Sequence, residues 1–203
     1  MWWKAQKNVI KVAVPQDFAI ALASQLLDGG VVVKALLVAG LWLAGQGSAR
    51  LAAEVLPDAG QPGQFVATTV AIWNPYVAER LLQGHWSLLV GYGCLPWVAH
   101  SVLRLRSDGS GGFALAFWTA LAGLTPTGLM MATTVALACS VVPGGGRRRP
   151  TCAALTLSLG VLSALPWLAA SALSGSLSAY QSAGEPGFAA FATPTVTGEV
   201  KRW

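Results

Sequence analysis

The chain has 203 residues, of which 54% are hydrophobic and only 10% are charged, and its mean hydropathy is +0.57. Soluble domains carry about 25% charged residues, so this composition excludes an ordinary soluble domain and predicts an integral membrane protein. The net charge of +5 arises from basic residues in short runs between apolar segments. This pattern is typical of orientation signals at a membrane surface and argues against nucleic-acid binding.

Residues 1–30 combine a basic start with an amphipathic segment that opens at Pro15. The start resembles the first part of a signal peptide, but no continuous apolar region or cleavage site follows. Asp17 is typical of an acid favoured at a helix start, and a catalytic role would require it to lie in a cleft. Asp28 precedes two glycines and is predicted to be a turn residue that ends the segment. We therefore expect an interfacial helix here.

The segment 31–49 is predicted to be the first spanning helix, with Lys34 reaching the headgroups near its start and Arg50 marking its far end. A polar link rich in proline and glycine follows over 54–64. The next apolar run, 65–73, is too short to cross a bilayer alone unless protein shields the backbone beyond it.

The stretch from Trp73 to Trp86 is the most polar and most patterned run between two apolar segments. Asn74 is predicted to cap a short amphipathic helix that opens at Pro75. On that helix Glu79 and Gln83 lie four positions apart and therefore share a face.

This stretch carries the candidate site. Glu79 can act as a base or hold a sugar hydroxyl, and the planar fork of Arg80 suits a phosphate. His85 can transfer protons or bind phosphate. The alternative is an interfacial helix whose aromatic residues anchor it at the headgroups while its charges are solvated. The spacing alone favours this alternative.

A second span is predicted over 87–103, ended by Arg104 and Arg106. The apolar stretch 113–142 is broken at 125–128, and as one helix it would measure about 45 Å. That length is too great for one upright crossing of a ~30 Å core and too small for two. We prefer a short hairpin over a single kinked helix, because the hairpin places both groups of arginines on one side.

The second group, Arg147–Arg149, is the strongest charge signal in the chain. The last span is predicted over 152–173, interrupted by Pro166, and 174–203 is predicted to be a loop or tail. The positive-inside rule makes the arginine side cytoplasmic, so the stretch 73–86 faces outward.

The predicted fold class is therefore all-α, a polytopic transmembrane helical bundle of about five or six membrane segments, one of them the broken hairpin. The expected parts are an interfacial segment (1–30), a transmembrane domain (31–173) and an extracytoplasmic loop or tail (174–203). We expect a multi-pass protein of the cell membrane. This scheme leaves the lysines of residues 1–30 outside, and an upstream spanning helix would correct that. The chain is therefore expected to be a fragment of a longer protein.

The three cysteines (Cys94, Cys139 and Cys152) lie in or beside apolar segments, and their spacing is not that of a metal site. Free cysteines of this kind are usually buried as small hydrophobic side chains. The histidines, His85 and His100, lie far apart. We therefore expect no metal centre, and no cofactor is evident.

The stretch from Trp73 to Trp86 resembles an element of actinobacterial multi-span proteins related to polyprenol-phosphate-sugar glycosyltransferases of the GT-C type. The shared order is an apolar segment, an Asn-Pro pair, an amphipathic segment, a Gly-Gln/His element and a second apolar segment. The similarity extends from about residue 15 to 190, including 125–128. The resemblance implies a polyprenol-phosphate sugar donor and sugar transfer on the outer face. It also implies a carboxylate in the first outer loop that activates the acceptor.

That loop and the spanning helix before it are missing here or reduced to 1–28, where Asp17 or Asp28 would stand in. The first hypothesis is thus a glycosyltransferase-like protein that acts on membrane lipids or cell-envelope glycans, completed by an upstream helix or a partner subunit. Its candidate catalytic residues are Asp17 and Glu79, and its candidate substrate-binding residues are Arg80, Gln83 and His85. The alternative hypothesis is a non-enzymatic transport or envelope-assembly subunit. The two broken segments favour it, whereas the lack of a convincing internal repeat argues against it.

Overall fold

The structure is a computed structural model that describes residues 28–142 and 149–174, together with positions 22, 23 and 25. The described part is helical and contains no strand, which confirms the all-α fold class. Residues 13–167 form one compact unit, and of a second unit (1–12 and 168–203) only the end of the last helix is described. The helices are α1 (Gly29–Val55), α2 (Gly60–Ile72), α3 (Pro75–Leu82), α4 (Trp86–Ser107), α5 (Gly112–Ala122), α6 (Pro126–Val141) and α7 (Arg149–Ser174), with a 3-10 turn at Pro57–Ala59.

Three of these helices are long and apolar enough to cross a membrane, namely α1, α4 and the Arg149–Ala169 part of α7. The 27 residues of α1 and the 22 of α4 correspond to about 40 Å and 33 Å at 1.5 Å per residue. The helices α5 and α6 are apolar but shorter, with 11 and 16 residues. The described part therefore has the helices of a membrane protein.

The start of α1 corrects the prediction for Asp28. Its carboxylate accepts hydrogen bonds from the backbone N–H groups of Gly30 (2.9 Å) and Val31 (3.3 Å), so Asp28 caps the start of α1, and the two glycines after it begin that helix. The far end was also predicted too early. Arginine, leucine, alanine and glutamate all favour a helix, so α1 continues past Arg50 to Val55. The predicted link over 54–64 shrinks to a short turn.

The helices α1 and α4 run in the same direction and approach closely at glycines. A Cβ atom added to Gly93 of α4 would lie 2.5 Å from the carbonyl oxygen of Gly40, and one added to Gly47 would lie 2.6 Å from Nε1 of Trp97. The same Trp97 nitrogen donates to the carbonyl of Leu43 over 2.9 Å. Since residue numbers rise together on both helices along these contacts, α1 is parallel to α4.

The return crossing between α1 and α4 is interrupted. Only a short turn separates α1 from α2, and Thr68 Oγ1 donates to the Gly45 carbonyl over 3.2 Å, so α2 doubles back on α1. It ends where Ala71 accepts a hydrogen bond from the Tyr92 hydroxyl, about 9 Å along α4 from Trp86. The 13 residues of α2 are too few to cross alone, as predicted for this apolar run, and α3 follows after a short break.

The second half of the chain contains the predicted hairpin. A Cβ atom added to Gly91 would lie 3.2 Å from Cα of Gly128, at the start of α6. At the other end of α6, Arg106 donates to the carbonyls of Cys139 (2.6 Å) and Val142 (2.9 Å). Thus α6 runs parallel to α4 with α5 as the short return. The hairpin is confirmed, and the single kinked helix is wrong. We call the end of the bundle that holds Arg106 the arginine end.

The core lies between α4, α5 and α6, and α7 covers it. The aromatic N–H of Trp167 donates to the Gly123 carbonyl over 3.0 Å, which fixes α7 against the turn between α5 and α6. Cys94 and Cys152 are 0% and 1% exposed, which confirms the prediction of burial for these two, while Cys139 is half-buried. The buried core residues are Cys94, Val98, Val102, Leu115, Ala122, Ala132 and Ala136.

Candidate functional site

The candidate site is built on α3, and Asn74 holds the start of this helix. The Asn74 side-chain oxygen accepts from the backbone N–H of Val77 over 3.0 Å, which confirms the predicted cap. Its amide nitrogen donates to the carbonyls of Val70 and Ala71 and to the Tyr92 hydroxyl. Hydrogen bonds from Asn74 and Tyr92 thus satisfy backbone carbonyls that the break between α2 and α3 would leave without partners.

One side chain of α3 contacts α4, and the side chain next to it is buried. Val77 is only 2% exposed, and the ring of Tyr76 lies 5.4 Å from the ring of Tyr92. The guanidinium carbon of Arg80 lies 5.4 Å from the centre of the same Tyr76 ring. Tyr76 therefore links the helix break to the charged residues of α3.

The four predicted polar residues of α3 and its end lie together, with the guanidinium of Arg80 at the centre. Arg80 Nη2 lies 2.9 Å from Glu79 Oε1, and Arg80 Nη1 donates to Gln83 Oε1 over 2.9 Å. The same Nη1 lies 3.2 Å from His85 Nδ1, and Gln83 Nε2 donates to Glu79 Oε1 over 3.1 Å. When Nδ1 of His85 accepts from Arg80, its imidazole carries its proton on Nε2. We call these four residues the Arg80 cluster.

The charges of the Arg80 cluster are unequally exposed. The Arg80 side chain is 20% exposed and the Glu79 side chain 55%. Arg80 Nε is buried and has no hydrogen-bond partner in the described part of the chain. A guanidinium with an unused donor is incompletely satisfied, and a phosphate with several oxygens suits its fork better than the single acceptors now around it.

An apolar groove of about 1000 Å³ lies between α1 and α2, and its lining does not include the residues of the Arg80 cluster. Asn74 and Tyr92 form its end nearest the cluster, and Tyr76 lies between that end and Arg80. No sequence pattern indicated the groove, because it depends on how α2 lies against α1. Its apolar walls include Leu51, Ala52, Val55, Val66, Ala67 and Val70.

Among the described residues, the other candidate carboxylate, Asp28, does not join the Arg80 cluster. Asp17 lies outside the described residues. Asp28 uses one carboxylate oxygen for the cap of α1. Within the described residues, no three histidine, cysteine, aspartate or glutamate side chains converge as a metal site.

An acid–histidine contact outside the Arg80 cluster was not predicted from the sequence. His100 of α4 contacts the carboxylate of Glu54 at the end of α1. These side chains are 23% and 33% exposed. Arg50 stacks nearby on Trp97, with 4.8 Å between the guanidinium carbon and the ring centre. No local spacing predicts the pair, because it exists only when α1 runs parallel to α4.

No protein-family model, curated protein or solved structure matches this chain. Its function is therefore inferred from the geometry of the Arg80 cluster and the groove.

Proposed function

We propose that the protein binds a membrane lipid that carries a phosphate, with the phosphate on Arg80, and that it is a glycosyltransferase-like protein of the cell envelope. The observation that supports this is the position of the Arg80 guanidinium, at the centre of a polar cluster that the rings of Tyr76 and Tyr92 connect to one end of an apolar groove. A lipid that carries a phosphate likewise has a polar headgroup, which suits the cluster, and an apolar chain, which suits the groove. The proposed donor is a polyprenol-phosphate sugar.

The contacts of Arg80 suggest how a phosphate enters. Gln83 Oε1 is an uncharged acceptor on Nη1, and His85 Nδ1 lies 3.2 Å from the same nitrogen; a phosphate oxygen is a stronger acceptor for a guanidinium. The phosphate displaces these two side chains, while Glu79 stays near Nη2. The released amide and imidazole then face the headgroup and can bind sugar hydroxyls.

Glu79 is the proposed carboxylate for the acceptor within the Arg80 cluster. As a base it takes the proton of the acceptor hydroxyl, whose oxygen bonds to the sugar carbon as the bond from that carbon to the phosphate oxygen breaks. Glu79 already accepts hydrogen bonds from Arg80 and Gln83. Displacement of Gln83 removes one of these hydrogen bonds from the carboxylate. A carboxylate from an upstream helix or a partner subunit is the alternative base.

Purified protein in lipid nanodiscs is expected to bind a labelled polyprenol-phosphate sugar, and Arg80→Gln is expected to weaken this binding by at least about tenfold. The reason is that a hydrogen bond to a charged group contributes about 1.5–3 kcal/mol, and about 1.4 kcal/mol is a factor of ten in affinity. The measurement is a binding isotherm with the labelled lipid.

The control for that experiment is Arg104→Gln, which removes an exposed arginine from the arginine end. Its affinity is expected to equal that of the unchanged protein. Equal binding by the unchanged protein and Arg80→Gln, or no binding by either, would refute the proposed phosphate site.

We also propose a multi-pass orientation in the cell membrane with the arginine end in the cytoplasm, as the positive-inside rule favours. A cysteine in place of Leu82, which is 89% exposed, is then expected to react with an impermeant maleimide on intact cells. A cysteine in place of Asp108, at the arginine end, is expected to react only after the membrane is opened. The reverse pattern would overturn the orientation, and the unchanged chain reports the background of its native cysteines.

The second candidate function is a non-enzymatic transport or envelope-assembly subunit. The interruption between α2 and α3 favours it, because broken crossings form binding sites in many transporters. Lipid binding without any transfer of the labelled sugar to an acceptor would support this function over the enzyme.

A further inference from the structure

The groove between α1 and α2 has its polar groups mainly at one end. It runs from the short turn after α1 to the break before α3, and apart from Ser48 its polar lining consists of Asn74 and Tyr92. The remaining lining is apolar. A ligand that fits this distribution is apolar along its length and polar at one end.

The rims of the groove are open toward the side of the bundle. Val55, Val66 and Val70 line it and are 55%, 63% and 63% exposed, and the neighbouring Phe65 is 71% exposed. These side chains belong to apolar helices and would face hydrocarbon in a bilayer. Because an empty groove forfeits dispersion contacts with its lining, hydrocarbon from the bilayer is the filling expected first.

The length of the groove suits a hydrocarbon chain. From Pro62 to Asn74 the groove follows α2 for about 18 Å at 1.5 Å per residue, which is comparable to half of a ~30 Å hydrocarbon core.

We propose that this groove holds a hydrocarbon chain of the lipid whose phosphate meets Arg80, and that the chain enters sideways from the bilayer between α1 and α2. The proposal rests on the proposed function and adds the position of the chain to it. The polar end of the groove leads to Arg80 through Tyr92 and Tyr76, with 5.4 Å between these rings and 5.4 Å from the Tyr76 ring to the guanidinium. A lipid with its chain in the groove thus has its headgroup directed toward the Arg80 cluster.

Two small residues keep the groove open. Ala52 of α1 and Ala67 of α2 both line it and are half-buried. A phenylalanine at either position would occupy space that the chain needs. The matched control is Leu157→Phe, an enlargement on the lipid-facing side of α7, where Leu157 is 50% exposed.

The test uses the full chain in nanodiscs with two photoreactive lipids, phosphatidic acid and uncharged diacylglycerol, that carry the same diazirine in mid-chain. Mass spectrometry of the cross-linked peptides is expected to place both probes within residues 48–74. Ala67→Phe is expected to lower this labelling by about fivefold, and Leu157→Phe is expected to leave it unchanged. Circular dichroism checks the fold of each variant, and Ala52→Phe replaces Ala67→Phe if the latter does not fold.

Equal labelling of 48–74 and of the outer face of α7, or labelling of 48–74 that survives Ala67→Phe and Ala52→Phe, would mean a bulk lipid shell and overturn the proposal. Protein–protein cross-links at 48–74 in place of lipid ones would show that a helix of another chain occupies the groove and would also overturn it. The phosphate site has a separate readout, namely a preference for phosphatidic acid that Arg80→Gln abolishes. Groove labelling without that preference would uphold the chain position and refute the phosphate on Arg80.

Discussion

Gly93→Ala is expected to lower the free energy of unfolding by about 1–3 kcal/mol, the usual cost of overpacking. The new methyl group would lie 2.5 Å from the backbone oxygen of Gly40 and 3.1 Å from Cβ of Leu43. Neither atom belongs to the end of a flexible side chain, so α1 and α4 must separate. Alanine is more favourable than glycine in a helix by about 1 kcal/mol. A net loss of stability in this variant must therefore come from the packing of α1 against α4. The measurement is unfolding by sodium dodecyl sulfate followed by circular dichroism.

The control is Gly112→Ala at the start of α5, where an added Cβ meets no atom within 4 Å. This variant is expected to be as stable as the unchanged protein or slightly more stable. If both glycine variants lose the same free energy, the close contact between α1 and α4 is not what holds them together.

The second large effect is expected at Arg106, where Arg106→Met should cost about 3 kcal/mol or more. Arg106 is 5% exposed and donates to the last carbonyls of α6, those of Cys139 and Val142. Each hydrogen bond from a charged group contributes about 1.5–3 kcal/mol, and a cation also stabilises the negative end of a helix. Methionine keeps the length of the side chain and removes the donors.

Unfolding by detergent measures that loss, and hydrogen exchange locates it. Amides at the end of α6 are expected to exchange faster in Arg106→Met than in the unchanged protein. Arg104→Met, which removes an exposed arginine of the same helix, is the control and should change neither quantity. A similar, small effect of both variants would contradict the structural role assigned to Arg106.

The elements that the sequence predicted best are those that local pattern determines. Continuous apolar runs located α1, α4 and α7, and Asn74 before Pro75 located the start of α3. The errors arose where one residue type has two uses. Aspartate before glycine fits a turn or a cap, and Asp28 is a cap. Arginine marks a membrane surface but does not end a helix, so α1 continues past Arg50.

The Arg80 cluster was largely predictable because its members are neighbours in sequence. Glu79, Arg80 and Gln83 lie within one helical turn of each other, where side chains meet. His85 joins them because Gly84 has a φ of +67°, a conformation that glycine adopts readily, which turns the chain back toward Arg80.

The partners of Glu54 and Arg106 and the position of the groove were not predictable. They depend on which helices lie side by side and in which direction each one runs. Hydropathy reports only that a helix is apolar, and the glycine contacts that set the packing of α1 on α4 join residues far apart in the sequence.

The short helix α5 also bears on how the chain enters a membrane during synthesis. Its 11 residues reach about 17 Å, against a hydrocarbon core of about 30 Å, so α5 is not an insertion signal by itself. It must enter as one unit with α6, after α4 is in place to receive both. In the orientation proposed above, insertion moves only the turn around Thr125 into the bilayer, while Arg104 and Arg106 stay on the side where the chain is made.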